Sequence, residues 1–240
     1  MRATRGKRVL PALVVVLVST GGACDLQQTS GPPAIPKPTG SVTDIEGNVY
    51  PTITIGQEEW MAENLKTATY NDGTPIPNVT DSSTWVNLIG DAYSWYDNDA
   101  ANKDVFGALY NWFAVNKKKL CPTGWGMPSS RSWSGLATTM GGEAVAGGRL
   151  KEIGTTLWQA PNTAASNRSG FSARPAGWRN VAGSFVEKGQ SAIWWGADQV
   201  LISLPGEAHF SYVSSTSAAM LGATSQWTSG YSVRCFRDAN

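Results

Sequence analysis

Few residues in this chain could carry chemistry. It has one histidine, His209, and three cysteines, Cys24, Cys121 and Cys235. A Ser-His-Asp triad would have to use His209, yet no GxSxG elbow accompanies it, and HExxH and P-loop patterns are missing too. His209 lies in Pro205-Gly206-Glu207-Ala208-His209, a loop-like stretch. An exposed loop histidine is expected there rather than a general base, which must sit within hydrogen-bond reach of the proton it takes. Cys121 and Cys235 are 114 positions apart and no CxxC pair exists, which argues against a zinc site or a redox dithiol.

Two further constellations suggest binding. Asp97, Asp99 and Asp104 fall within ten residues, and a hard cation takes six to eight oxygens. They are weak calcium candidates, because the loop fails the EF-hand pattern: Ala101 stands at the third ligand position, Asn102 at the glycine and Ala108 at the bidentate position. No metal or other cofactor is expected. The stronger pattern is aromatic: Gly177-Trp178-Arg179-Asn180 and Trp194-Trp195-Gly196-Ala197-Asp198 set indoles beside hydrogen-bonding groups. An amphipathic aromatic suits a half-wet site, where its face can cover a sugar's C–H surface while polar neighbours take the hydroxyls. Trp178, Arg179, Asn180, Trp194, Trp195 and Asp198 are therefore the candidate ligand-binding residues. Adjacent strand residues point to opposite faces, so one of Trp194 and Trp195 is expected in the core.

The surroundings of Cys24 indicate export. Arg2, Arg5, Lys7 and Arg8 precede the apolar run Val9–Val18, and small residues follow up to Ala23. Residues 1–23 thus read as a signal peptide, too short in their apolar part for the ~20 residues a bilayer-crossing helix needs. Small residues before Cys24 resemble a lipobox, although Gly21 stands where an aliphatic residue is usual. Lipidation of Cys24 would also account for the odd thiol, and conventional cleavage after Ala23 is the alternative. Residues 24–40, with four prolines from Asp25 to Gly40, read as a lipid-anchored extended stalk spanning about 50 Å at ~3.1 Å per residue. A cell-envelope location follows, secretion being the alternative. In an exported protein Cys121 and Cys235 are each other's natural partner.

Composition narrows the partners. Without the four N-terminal cations, 15 basic residues of the chain's 19 face 18 acidic ones, about −3 net. Only Lys117-Lys118-Lys119 clusters positive charge, so a nucleic-acid partner is not expected.

The elements around these residues read as mixed. Alternation in Val42–Ile55, a turn at Gly56-Gln57 and Glu58–Met61 form a strand pair, and Asn71-Asp72-Gly73 is a turn. One helix is expected over about Val105–Val115, with Leu109, Trp112 and Phe113 at helical spacing. A second starts at Pro128-Ser129-Ser130, buries Trp133, Leu136, Ala137 and Met140, and stops at Gly141-Gly142. Phe185-Val186, Ile193-Trp194-Trp195, Val200-Leu201-Ile202 and Tyr231-Ser232-Val233 read as strands of a meandering antiparallel sheet.

Five segments together, VTDIEGNVYPTITIG (42–56), EWMAENLKTATYNDGTPIPNV (59–79), FGALYNWFAV (106–115), LCPTGWGMPSSRSW (120–133) and GYSVRCFRD (230–238), resemble the Fibrobacter succinogenes major paralogous domain of bacterial envelope proteins. Residues 41–240 are assigned to it. The resemblance implies an α+β, C-type lectin-like fold, also similar to the formylglycine-generating enzyme core: a twisted antiparallel sheet, two helices, long loops and one disulfide. The family commonly reads GWHVP where this chain has Gly124-Trp125-Gly126-Met127-Pro128. The stretch from Ile202 to Gln226 fits poorly and is expected to be a diverged surface loop. Lectin sugar triplets such as Glu-Pro-Asn are absent, Ala160-Pro161-Asn162 being the nearest. Formylglycine-generating chemistry needs a reactive cysteine pair, and here both domain cysteines are expected in a structural disulfide, so the fold does not bring that activity with it. The expected function is a non-catalytic envelope lipoprotein binding a glycan or a surface protein, with membrane contact through the lipid. An enzyme of the formylglycine-generating kind and a purely structural envelope component are the alternatives.

Overall fold

The computed structural model describes Met1, residues 34–199 and residues 206–239. The signal segment, Cys24 and Val200-Leu201-Ile202 lie outside the described residues.

Three antiparallel strands open the domain: β1 (Gly40–Thr43), β2 (Val49–Ile55) and β3 (Glu58–Met61). They join in the order β1-β2-β3-β11, the last strand β11 being Phe236–Asp238 at the far end of the chain. The expected turn follows, with Gly73 at φ +86° and its N–H on the Tyr70 carbonyl. Next come α1 (Ser82–Val86), the strand pair β4 (Tyr93–Ser94) and β5 (Leu109–Tyr110), and the short α2 (Lys103–Phe106) and α3 (Trp112–Asn116).

The single helix expected over 105–115 does not form. Gly107 takes φ +76°, which ends α2, and Asn111 then caps α3 through the Ala114 N–H. The backbone there passes so close to the Asn64–Leu65 segment that a Cβ on Gly107 would sit 2.7 Å from the Asn64 Cβ. Tertiary contact overrides helical spacing at this point.

The next helix, α4 (Ser130–Thr139), has the expected start and end. Ser129 and Ser132 form a reciprocal capping box, satisfying two of the orphan N–H groups at the helix start. Trp133, Leu136 and Ala137 are buried, whereas Met140 is half-buried. An unanticipated helix, α5 (Glu143–Leu150), packs on α4. Its Gly147 lies so near the strand entry at Ala219 that a Cβ would strike the Ala219 carbonyl oxygen.

The hairpin β6 (Trp178–Arg179) and β7 (Phe185–Val186) leads into a three-stranded meander, β8 (Ser191–Gln199), β9 (Glu207–Ser214) and β10 (Met220–Gln226). The meander was expected from β8 onward, but regular paired strands, β9 and β10, occupy most of the stretch 202–226, where a surface loop was expected. His209 accordingly stands in β9 opposite Thr224, not in a loop.

The meander separates two cores. Ala192, Trp194, Val213 and Met220 face α4 and α5, where Trp133 stacks on Trp194 at 5.6 Å. Ile193, Trp195 and Ala208 face Tyr110, Trp112 and Tyr231. Both faces of β8 are covered, so Trp194 and Trp195 are each 0% exposed. Alternation placed the two rings on opposite faces correctly, but neither face is solvent.

The C-terminal segment ties these regions together. Gly230 pairs with Arg179, Tyr231 with Tyr110, Ser232 with Trp194, and Phe236 with Gly126. Cys235 is bonded to Cys121, with Cα atoms 5.8 Å apart. Between them, Arg234 is fully buried and donates to Asn64 Oδ1 (2.9 Å), the carbonyls of Met61 (3.0 Å) and Ser172 (3.0 Å), and the Phe171 carbonyl.

The buried cations should dominate two stability measurements. Arg234→Met leaves several enclosed acceptors unpaired, at ~1–3 kcal/mol each before relaxation. A loss of about 3–5 kcal/mol is expected in urea titration; a loss under 1 kcal/mol would show that the cluster contributes little. Lys151 is also fully buried, its ammonium donating to the carbonyls of Ser214 (2.7 Å) and Ser217 (2.8 Å). Desolvation pulls its pKa from 10.5 down to about 8. Above pH 8 the folded chain releases this proton while the unfolded chain keeps it, so stability should rise with pH from 8 towards 10. The slope from this one group is at most about 1.4 kcal/mol per pH unit, and Arg234, whose pKa desolvation pulls down to about 9, adds in the same direction. Above pH 10 the buried tyrosines, whose pKa burial raises, act in the opposite sense. Lys151→Met should flatten the rise between pH 8 and 9.5 in denaturant titrations; an unchanged slope would refute this origin.

Candidate functional site

The β6–β7 hairpin holds Trp178 over the outer edge of the meander. Gly177 donates its N–H to the Ser191 carbonyl, and Trp178 pairs with Val186. In β9, Phe210 and Tyr212 share the face that carries Trp195 and Ile193, their partners in β8. Tyr231 packs among them, its ring 4.5 Å from Trp195, 5.0 Å from Phe210 and 5.5 Å from Trp178. The result is an open groove of about 310 Å³.

Tyr231 and Ile193 are buried beneath this groove, whereas Trp178, Phe210 and Tyr212 are half-buried at its sides. The indole nitrogen of Trp178 is buried and has no hydrogen-bond partner, so the portion of the ring open to solvent is hydrocarbon. Polar groups stand at the margins. Ser191 and Ser225 bring hydroxyls, and Glu187 a carboxylate. Tyr231 donates its hydroxyl to Ser225 at 3.0 Å, and burial raises the phenol's pKa, keeping it protonated. Apolar rings surrounded by a few polar groups are the composition expected of a small-ligand site.

Of the residues singled out from the sequence, Trp178 alone lines this groove. Arg179 is fully buried, clamped between Trp85 (4.2 Å) and Phe185 (4.8 Å), and donates to the carbonyls of Val79, Thr80 and Gly183. Asn180 accepts from the N–H groups of Ala182 and Ser184 in the hairpin turn. Asp198 accepts from the Ser130 N–H at the start of α4, where a carboxylate complements the helix dipole. Trp194, Trp195 and Arg179 are thus enclosed, while Asn180 and Asp198 are half-buried and sit away from this groove.

The three aspartates are also separately engaged. Asp97 approaches Lys188 at 3.9 Å, Asp99 accepts from the Ala101 N–H, and Asp104 pairs with Lys66 at 3.1 Å. They do not converge, and among the described residues no group of three His, Cys, Asp or Glu side chains could hold a metal.

A wider, open hollow of about 980 Å³ lies between the β2–β3 turn and α4, lined by Gln57, Glu58, Gly135 and Thr139. Two further cavities are smaller than the groove. His209 lines one of about 80 Å³ with Ser130, Ser134 and Glu143, and among the described residues it makes no side-chain hydrogen bond to a serine or carboxylate. The other, about 250 Å³, lies beside Cys121 and is bordered by Trp125, Gly126 and Met127. A Cβ at Gly126 would meet nothing within 4 Å.

Phe210, Tyr212, Tyr231 and Glu187 were not among the expected site residues. A signal existed for two: Ala208, Phe210 and Tyr212 alternate through β9 with period two, as a half-buried strand requires. Nothing local marks Tyr231 or Glu187, which reach the groove only through long-range pairing.

No curated protein and no solved structure matches the chain. A family model does, over residues 53–237, from the second half of β2 to the middle of β11. The chain therefore belongs to the Fibrobacter succinogenes major domain family.

Proposed function

We propose that this chain is a non-catalytic, lipid-anchored protein of the bacterial cell envelope whose domain, C-type lectin-like in its finer architecture, binds a glycan in the Trp178 groove. The observation that carries the reading is the groove itself: half-buried rings presenting hydrocarbon, with hydroxyls and a carboxylate at the rim. A pyranose offers the complementary surface, apolar on its C–H face and polar around its edge. The tether read from residues 1–40 suits a module that samples the space around a membrane.

An enzyme of the formylglycine-generating kind would need free thiols, and Cys121 and Cys235 are bonded to each other. A surface protein is the alternative ligand, and a purely structural envelope role is the third reading; no specific observation favours either over the glycan.

The full chain, screened against a glycan array and insoluble polysaccharides, should bind at least one saccharide. Trp178→Ala should weaken that binding tenfold or more with the thermal midpoint little changed, and chelator should have no effect. Binding unaffected by Trp178→Ala would move the site elsewhere, and the absence of any bound saccharide would refute the glycan reading.

A further inference from the structure

The domain repeatedly covers its aromatic rings with its own cations. Arg179 lies over Trp85 and Phe185, Arg234 over Phe171 at 4.1 Å, Arg237 over Trp125 at 4.8 Å, and Lys103 over Trp95 at 5.6 Å. No cation of the described residues lies over the rings of Trp178, Phe210, Tyr212 or Tyr231, and of the half-buried rings left uncovered the first three are the ones gathered around one open groove. Phe210 and Tyr212 are 5.9 Å apart, and Phe210 and Trp178 both pack on Tyr231.

The carboxylate at this groove is also unused. Glu187 is exposed, and among the described residues its side chain accepts no hydrogen bond and makes no ion pair. Its neighbour Lys188 could have neutralised it, but that ammonium is taken by Asp97 at 3.9 Å and by the Tyr96 ring at 4.8 Å. Among the described residues, no lysine, arginine or histidine lines the groove. The backbone meanwhile holds Glu187 in a conformation uncommon for a residue with a side chain, φ +62°. Its carbonyl accepts from the N–H groups of Gln190 (2.9 Å) and Ser191 (3.1 Å), which fixes the turn.

Aromatic faces attract cations because the ring quadrupole is negative above the plane, and clustered rings with a nearby anion are a recurring receptor for organic ammonium groups. We infer that the groove is an alkylammonium site, with the half-buried rings of Trp178, Phe210 and Tyr212 forming the cage above Tyr231 and Glu187 the counter-ion. This inference rests on the glycan reading, under which the ammonium belongs to a sugar bearing a free amine. The Ser191 hydroxyl, which makes no hydrogen bond among the described residues, is then available to the sugar's own hydroxyls.

Calorimetric titration of the full chain with a glucosamine tetramer, its N-acetylated counterpart and tetramethylammonium tests both layers. The glucosamine tetramer should bind at least tenfold more tightly than the neutral one. Glu187→Gln should remove that preference while the circular dichroism and thermal midpoint stay unchanged, as suits an exposed residue. Equal or tighter binding of the N-acetylated tetramer would overturn the ammonium inference and leave the glycan reading standing. Glu187-dependent binding of tetramethylammonium without either saccharide would support the ammonium site and count against the glycan. If none of the three binds, or if Glu187→Gln changes nothing, the ammonium inference fails.

Discussion

Arg234 and Asn64 form the contact that holds the separate layers of the domain to one another. A guanidinium is costly to remove from water, and desolvation is the largest force pulling its pKa down here. The cost is offset because its donors meet Asn64 Oδ1 and the carbonyls of Met61, Phe171 and Ser172, while Phe171 covers one face. Asn64 extends the contact. Its amide donates to the Phe106 carbonyl and the Ser232 hydroxyl, and its oxygen also accepts from the Trp194 indole. One cluster thus fixes the end of β3, the last residue of α2, the loop between α5 and β6 and the centre of β8. A buried polar network with satisfied partners specifies a single arrangement, since any slip would strand charged or polar groups away from water.

The disulfide acts beside this network. Cys235 follows Arg234 directly, and its carbonyl accepts the Met61 N–H, so the C-terminal segment is fixed to the first sheet at the point where the covalent bond reaches Cys121. Closing a loop of ~100 residues restricts the unfolded chain by about 4.7 kcal/mol in the chain-entropy description. Two devices of different kinds, one acting on the folded state and one on the unfolded, secure the same few residues. That security matters for the groove, because Tyr231, at its base, lies only three residues before Arg234 and belongs to the same paired segment. A domain with long loops and short strands can therefore still hold its rings in a defined arrangement.

The same economy explains where the open surface lies. The meander is covered by α4 and α5 on one side and by the Tyr110–Trp112 region on the other, but the covering of the second face stops short of Phe210 and Tyr212. Burial uses up most of the tryptophans, among them Trp60, Trp133, Trp158, Trp194 and Trp195. Those indoles make the core, and their abundance says nothing about ligands. Trp178 differs because the short β6–β7 hairpin leaves it at the margin of the sheet.

Residues close in sequence carried much that was legible. The strand pair at the domain's start, the Asn71-Asp72-Gly73 turn and the capped α4 follow from side-chain periodicity and turn chemistry, which act within a few residues. The five family segments identified the family, and the number and placing of the cysteines pointed to the Cys121–Cys235 bond. What lay between distant residues was not legible. The backbone of Asn64–Leu65 broke the expected helix at Gly107, the second layer buried both Trp194 and Trp195, and Arg179 and Asp198 were drawn into carbonyl and helix-end contacts. Only one of six anticipated binding residues, Trp178, lines the groove; Phe210, Tyr212, Tyr231 and Glu187 join it from β9, the C-terminal segment and the turn before β8. Local sequence determines which elements form and which residues are apolar; whether an apolar residue ends in a core or at an open groove depends on what the chain places against it from a hundred residues away.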